Sequence, residues 1–254
     1  MRVPEFDLSG RVAIVSGGGR SIGRATALTL ARAGADVVLA GRDGDALRGV
    51  AREIAPSGRR ALPVVCDVSD AGAVDAMIGD CCRELGPPDV LVANAGLFQT
   101  WQPSEGLAIE EFDRVVAVDL RGVWLTCQAA GRLMLERESG SIVTISSIAG
   151  LVALPGTASY NAAKAGVVSL SKTLAAEWAP RGVRVNCVAP GFIERDVEPL
   201  NEDADARARI FARTPLGRFG TPQDVAMAVL YLASDAAAFV VGATLAVDGG
   251  WLAV

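Results

Sequence analysis

Short apolar runs and longer periodic stretches take turns along this chain. The short runs, rich in Val, Ile, Leu and Ala, fall at residues 12–16, 36–40, 61–66, 89–93, 142–145, 183–188 and 243–247. Unbroken apolar character with β-branched enrichment predicts strands buried on both faces. The stretches between them carry apolar residues at helical spacing, over 24–33, 45–55, 70–85, 109–136, around Tyr160 and Lys164, and over 222–233. Turn residues punctuate the exchange at Gly34, Pro56-Ser57-Gly58, Gly86-Pro87-Pro88 and Pro155-Gly156. Strands alternating with helices, without repeat or composition break, predict an α/β fold: a doubly wound, mainly parallel, seven-stranded sheet with right-handed crossovers. A single domain over 1–254 is expected. Within it the charge-dense segment 192–214 is an insertion of the kind that covers active sites.

Ligands of such sheets bind beyond the carboxyl ends of the strands, and the residues there are distinctive. The first strand runs into Gly17-Gly18-Gly19-Arg20-Ser21-Ile22-Gly23 before a helix. In that context bare backbone and free N–H groups meet a diphosphate. The second strand ends in Gly41-Arg42, with no carboxylate for a ribose hydroxyl; with Arg20 this favours a 2′-phosphate. The alternative is that Arg42 is solvated and Asp43 reaches the ribose. After the third strand, Asp67-Val68 places a carboxylate to accept from an adenine amine, or Asp67 or Ser69 caps the next helix. The fourth ends in Asn94-Ala95-Gly96 and the sixth in Ala189-Pro190-Gly191. The loop over 97–106, with Phe98 and Trp101, is expected to wall a substrate pocket. The long helical stretch over 109–136 is interrupted near Asp119 and Gly122. Asp119 lies on an apolar face, so it is either functional or paired with a base.

Composition narrows the chemistry. At 254 residues and 51% hydrophobic, the chain can bury about 70–75% of its extended surface without metals or disulfides. No apolar run reaches the ~20 residues of a membrane span, and the first residues lack a signal-peptide pattern. Five cysteines without framework spacing suit a reducing compartment, so a cytoplasmic location is expected. Cys81-Cys82 reads as two small residues on a helix. Net charge is −5 and the 24 basic residues are scattered, which leaves no nucleic-acid footprint. Histidine is absent, excluding Ser-His-Asp triads, Cys-His pairs and His-containing zinc sites. Of two tyrosines, Tyr231 sits in the apolar Val229-Leu230-Tyr231-Leu232 and reads as core. Tyr160 stands four residues before Lys164, on one helix face. It follows Ser147, at the end of the fifth strand, by 13 residues. A cation beside a phenol favours the phenolate, drawing a titration near pH ~10 towards the range of a general acid/base.

With these residues the sequence resembles the short-chain dehydrogenase/reductases, especially 3-oxoacyl-acyl-carrier-protein reductases and sugar or polyol dehydrogenases. The resemblance covers about 6–252. It rests on Ser16-Gly17-x-x-x-Ser21-Ile22-Gly23, Asn94-Ala95-Gly96, Ser147, Tyr160-x-x-x-Lys164, Pro190-Gly191 and Val247-Asp248-Gly249-Gly250. It implies a Rossmann fold and an oxidoreductase interconverting ketones and secondary alcohols. NADP(H) is the favoured cofactor, with an NAD(H)-dependent sugar or polyol dehydrogenase as the alternative. It also implies a small-molecule substrate, no nucleic-acid or membrane partner, and a homotetramer, which the apolar Trp251-Leu252-Ala253-Val254 ending suits. By resemblance Ser147 holds the substrate oxygen, Tyr160 moves the proton and Lys164 binds the nicotinamide ribose. Gly17, Gly19, Arg20, Ser21, Ile22, Gly23, Arg42, Asp67, Val68, Asn94, Ala95, Gly96, Pro190, Gly191 and Ile193 surround the cofactor.

Three departures stand out. Ser21 replaces a glycine, with a slight backbone shift expected. Arg195 stands where a threonine often meets the carboxamide. Asp119 replaces a catalytic asparagine whose main-chain carbonyl, which Asp keeps, holds a relay water. Asp119 and Arg195 also motivate a different class, a regulatory protein that binds cofactor without turnover. An acyl-carrier protein would want a basic docking patch. Arg137 and Arg181 are the candidates, but Glu136 and Glu138 flank the former, which argues against a dedicated fatty-acid role.

Overall fold

The computed structural model describes residues 3–99, 101–194 and 204–254; Thr100 and the 195–203 part of the expected insertion, Arg195 included, lie outside the described residues. Along Val12–Ser16 (β1) successive side chains enter opposite clusters, Val12 and Ile14 on one face, Ala13 and Val15 on the other. The same holds the sheet between two helical layers. β2 (Asp36–Gly41), β3 (Ala61–Val65), β4 (Val90–Ala93), β5 (Gly140–Ile145), β6 (Val183–Pro190) and β7 (Thr244–Val247) complete it. All pairs are parallel, in the order β3-β2-β1-β4-β5-β6-β7. The order reverses between β1 and β4, which opens a crevice at their carboxyl ends.

One face carries α1 (Ser21–Arg32), α2 (Gly44–Ile54) and α8 (Pro222–Ala233); the other carries α3 (Ala71–Glu84), α5 (Gly122–Glu136) and α6 (Ala158–Trp178). Burial on both faces is why the inner strands read as unbroken apolar runs; the edge strands β3 and β7 are only partly covered, with Val65 66% exposed. α3 is capped by Asp70, which accepts from Gly72 N at 2.8 Å; neither Asp67 nor Ser69 caps it, contrary to one sequence alternative. Thr221 and Asp224 form a reciprocal capping box on α8. α1 begins at Ser21, three residues before the helical pattern does.

The stretch over 109–136 resolves into α4 (Ile109–Val116), a π turn at Ala117–Arg121, and α5. A π turn inserts a residue and re-aims the face it interrupts. Here it buries Asp119 completely. Gly122 follows because a Cβ there would stand 2.7 Å from Val68 Cγ2. α7 (Ala204–Ala212) docks through Ile210 against Ile148, Phe219 and Trp251. Trp251 is thus packed within the chain, while Val254 is 70% exposed. The five cysteines are free, and burial pushes the Cys81 thiol up to about 12.

Two fasteners hold the carboxyl edge. The Ser16 hydroxyl accepts from the Asn94 and Ala95 N–H groups, each at 3.0 Å, and Asn94 Nδ2 donates to the Ser16 carbonyl at 2.9 Å. The Ser146 hydroxyl donates to the Lys164 carbonyl at 2.8 Å, drawing the end of β5 against α6.

Candidate active site

A cavity opens at the crevice and runs along the carboxyl edge. At one end the glycine turn (Gly17, Arg20, Ser21, Ile22, Gly23) faces Asn94, Ala95 and Gly96. At the other lie Asp119, Ser147, Tyr160, Lys164, Pro190, Gly191 and Ile193. Gly19, Arg42, Asp67 and Val68 line a second cleft that shares Gly17, Arg20, Ala95 and Gly96 with the first. The residues singled out in the sequence therefore lie along one continuous groove.

The turn is made by glycines that cannot be replaced cheaply. Gly17 has φ +67° and its Cβ would stand 2.7 Å from Asn94 Nδ2; a Cβ on Gly23 would run into the Gly17 carbonyl. Ser21 sits at φ +44°, a left-handed conformation that costs a side-chain-bearing residue about 1–2 kcal/mol. Its hydroxyl is buried and without a hydrogen-bond partner. No side chain caps α1, whereas Asp43, Asp70 and Thr221 cap α2, α3 and α8. An uncapped helix start, an idle hydroxyl and bare backbone fit the diphosphate of a dinucleotide.

At the tip of β2, Arg20 is ion-paired with Asp43, and Asp43 Oδ1 accepts from Ala46 N at 3.0 Å. The Ala46 N–H, then Arg20, hold the Asp43 carboxyl below its usual range. The alternative ribose ligand is therefore engaged, and so is one of the two expected phosphate cations. Arg42 is exposed at the tip and helps keep Asp67 charged, though the larger cause is Ser69, whose N–H and hydroxyl donate to Asp67 Oδ1 at 2.9 and 2.7 Å.

At the other end, Tyr160 and Lys164 share one face of α6, with Nζ 5.4 Å from the phenol ring centre. Nζ donates to the Ile145 carbonyl at 3.2 Å and stands 3.1 Å from Asp119 Oδ2, while Asp119 Oδ1 accepts from Leu97 N at 2.7 Å. No hydrogen bond of good alignment reaches Oδ2, so the Lys164 contact is an ion pair. Burial lowers the Lys164 ammonium's proton affinity, but Asp119 and then Tyr160 more than offset this, and it stays charged above the ordinary lysine range. Ser147 accepts from Ala149 N at 3.2 Å, which leaves its own proton for a ligand. Ser146 is committed to the Lys164 carbonyl.

The groove also contains residues that no sequence signal marked. Ile148, Leu154 and Phe219 line it, and buried Gln99 braces its wall through Ser159, 60 positions away. Nothing local distinguishes that glutamine from a loop residue.

A family model described as enoyl-(acyl carrier protein) reductase matches residues 17–252. The cis-4-hydroxycyclohexanecarboxylate dehydrogenase of Sinomonas cyclohexanicum is 46% identical over 247 residues, 96% of this chain and 97% of the relative. The 3-oxoacyl-[acyl-carrier-protein] reductase of Synechocystis is 42% identical over 246 residues, 96% and 97% of the two chains. Among solved structures, a gluconate 5-dehydrogenase from Burkholderia cenocepacia, in complex with NADP and tartrate, superposes with a TM-score of 0.94 at 36% identity, covering 98% of each chain. The chain belongs to the short-chain dehydrogenase/reductase family of oxidoreductases.

Proposed function

We propose that this protein interconverts a ketone and a secondary alcohol with NADP(H), using Tyr160 as general acid and base. The observation that carries this reading is the meeting of Ser147, Tyr160 and the buried Lys164–Asp119 pair in the cavity that begins at the glycine turn. NADP(H), when bound, supplies the hydride in reduction and takes it in oxidation. The turn from Gly17 to Gly23 would hold its diphosphate, Asp67 its adenine and Arg42 its 2′-phosphate. Ser147 Oγ donates to the substrate oxygen and fixes it. The Tyr160 hydroxyl delivers a proton to that oxygen as the carbonyl is reduced, and recovers it in the reverse direction. The charge left on the phenol then faces an ammonium already held in place, so no reorganisation is needed at that moment. The NADP complex of the gluconate 5-dehydrogenase supports the cofactor choice. NAD(H) remains the competing reading, because Arg20 is already paired with Asp43. A cytoplasmic homotetramer is part of the proposal; light scattering returning a monomer would contradict it.

Tyr160→Phe is expected to lower kcat by at least about 100-fold while the NADPH Kd stays within twofold; retained turnover rejects the role. Arg42→Asp is expected to swing the kcat/KM ratio from NADPH towards NADH by about tenfold or more, as the loss of a bidentate phosphate partner dictates. An unchanged ratio removes Arg42 from cofactor choice. Asp119→Ala strands a buried ammonium and is expected to lose about 3–5 kcal/mol in urea unfolding at pH 7. Because the folded-state Lys164 titrates above its unfolded value of 10.5, the pair's contribution is complete below that pH. It is lost only as pH rises through the folded value, so the wild-type contribution is flat from pH 7 to 9. In the variant, burial drives the stranded ammonium to give up its proton, so the deficit narrows over that range. A deficit that widens from pH 7 to 9 contradicts the pairing.

A further inference from the structure

The relatives are named for a hydroxycyclohexanecarboxylate, a 3-oxoacyl-[acyl-carrier-protein] and gluconate, three chemistries that do not agree on what enters this cavity. The wall beside Tyr160 is more specific. The Phe98 ring meets the Tyr160 ring edge-on at 5.0 Å between centres, and Trp101 continues the row 5.6 Å beyond Phe98. Ile148, Leu154, Phe192 and Phe219 line the same cavity. Phe192 is backed by Trp251 at 5.0 Å and Phe219 by Phe211 at 4.8 Å, so these rings are held rather than adaptable.

Gln99 and Thr157 beside that wall are engaged with the protein itself, whereas the buried Trp251 Nε1 has no partner among the described residues. Buried Gln99 accepts through Oε1 from Ser159 N at 2.9 Å and Ser159 Oγ at 2.6 Å, and donates through Nε2 to the Gly156 carbonyl at 3.3 Å. The Thr157 hydroxyl is shared by the Leu154 carbonyl and Asn161 Oδ1, each at 2.8 Å. Gln102 N donates to the Gly156 carbonyl at 3.1 Å. These bonds lock the loop that carries Phe98 and Trp101 onto the start of α6. Among the described residues at this end of the cavity, the groups left for a substrate are Ser147 and Tyr160, which the carbonyl oxygen takes, and the mutually paired Lys164 and Asp119. Against the described side chains here, a further hydroxyl on a substrate would find few partners beyond the Trp101 indole N–H, and each one left unpaired costs about tenfold in affinity. A ring instead gains edge-to-face contact with fixed aromatics.

We infer that the substrate is an alicyclic or aromatic ketone, or the matching secondary alcohol, with Phe98 and Trp101 as its specificity-determining wall, and that open-chain polyhydroxy ketones are rejected. This rests on the oxidoreductase reading above. The test follows NADPH absorbance with purified enzyme and cyclohexanone, acetophenone, butanone and erythrulose. A ring ketone is expected to exceed erythrulose in kcat/KM by at least about 100-fold, since erythrulose brings more than one hydroxyl to be stranded. Phe98→Leu and Trp101→Leu are expected to lower the ring-ketone value, mainly through KM, about tenfold more than they lower the butanone value. Erythrulose turned over as well as the ring ketones overturns the inference and leaves the oxidoreductase reading standing. Equal losses on butanone and ring ketones overturn the specificity role of the wall. No oxidation with any of the four overturns both.

Discussion

An ammonium buried in the middle of a protein has to be met by opposite charge and by acceptors, and much of this site is built to satisfy Lys164. Its side chain is 4% exposed and lies between the Ile145 carbonyl at the end of β5 and the Asp119 carboxylate from the π turn. Asp119 in turn accepts from Leu97 N, which sets the course of the chain leaving β4. Gly96 is bare because a Cβ there would stand 2.9 Å from Asp119 Oδ2 and 3.3 Å from Lys164 Nζ. Satisfying one charge thus ties together two strand ends, a broken helix and the loop carrying Phe98. A pair of this kind is weak evidence for stability as such, since desolvation offsets much of the attraction, but breaking it leaves a charge stranded.

The same pair shapes the chemistry. A neutral amide at position 119 would leave the full field of the ammonium acting on Tyr160. A carboxylate holds the ammonium more firmly and offsets part of that field. Position is therefore secured at some expense of electrostatic assistance, and the lysine, which donates to the Ile145 carbonyl, keeps a proton for a ligand. The groove divides the remaining work by composition. Its glycine end is polar backbone with an idle Ser21 hydroxyl, suited to a diphosphate, and its far end sets two hydroxyls and the Lys164–Asp119 pair beside an apolar wall.

The architecture is legible in the sequence because it depends on local pattern. Strands buried on both faces read as apolar runs to within a residue or two, and helix starts declare themselves through Thr221-Pro222 or Asp70. The interruption in the stretch over 109–136 is visible because Asp119 and Gly122 break an apolar face. What is not legible depends on partners distant in sequence. That Arg20 is neutralised by Asp43 requires the approach of two strand tips. That Asp119 pairs with Lys164, one of the alternatives its sequence context leaves open, requires the π turn. Ser21 shows a further limit. It adopts the left-handed conformation usual for glycine, which its residue type does not announce. Of the Trp251–Val254 ending expected at a subunit contact, Trp251 is covered by Phe192 of its own chain, while Val254 is exposed.

The most direct test of the account is a crystal structure of the protein with NADP⁺ bound. The account predicts that Lys164 Nζ stays within hydrogen-bonding distance of Asp119 Oδ2 while also reaching the nicotinamide ribose, with the Tyr160 hydroxyl facing the nicotinamide ring. An ammonium drawn away from Asp119, or a Tyr160 hydroxyl turned from the ring, would contradict it.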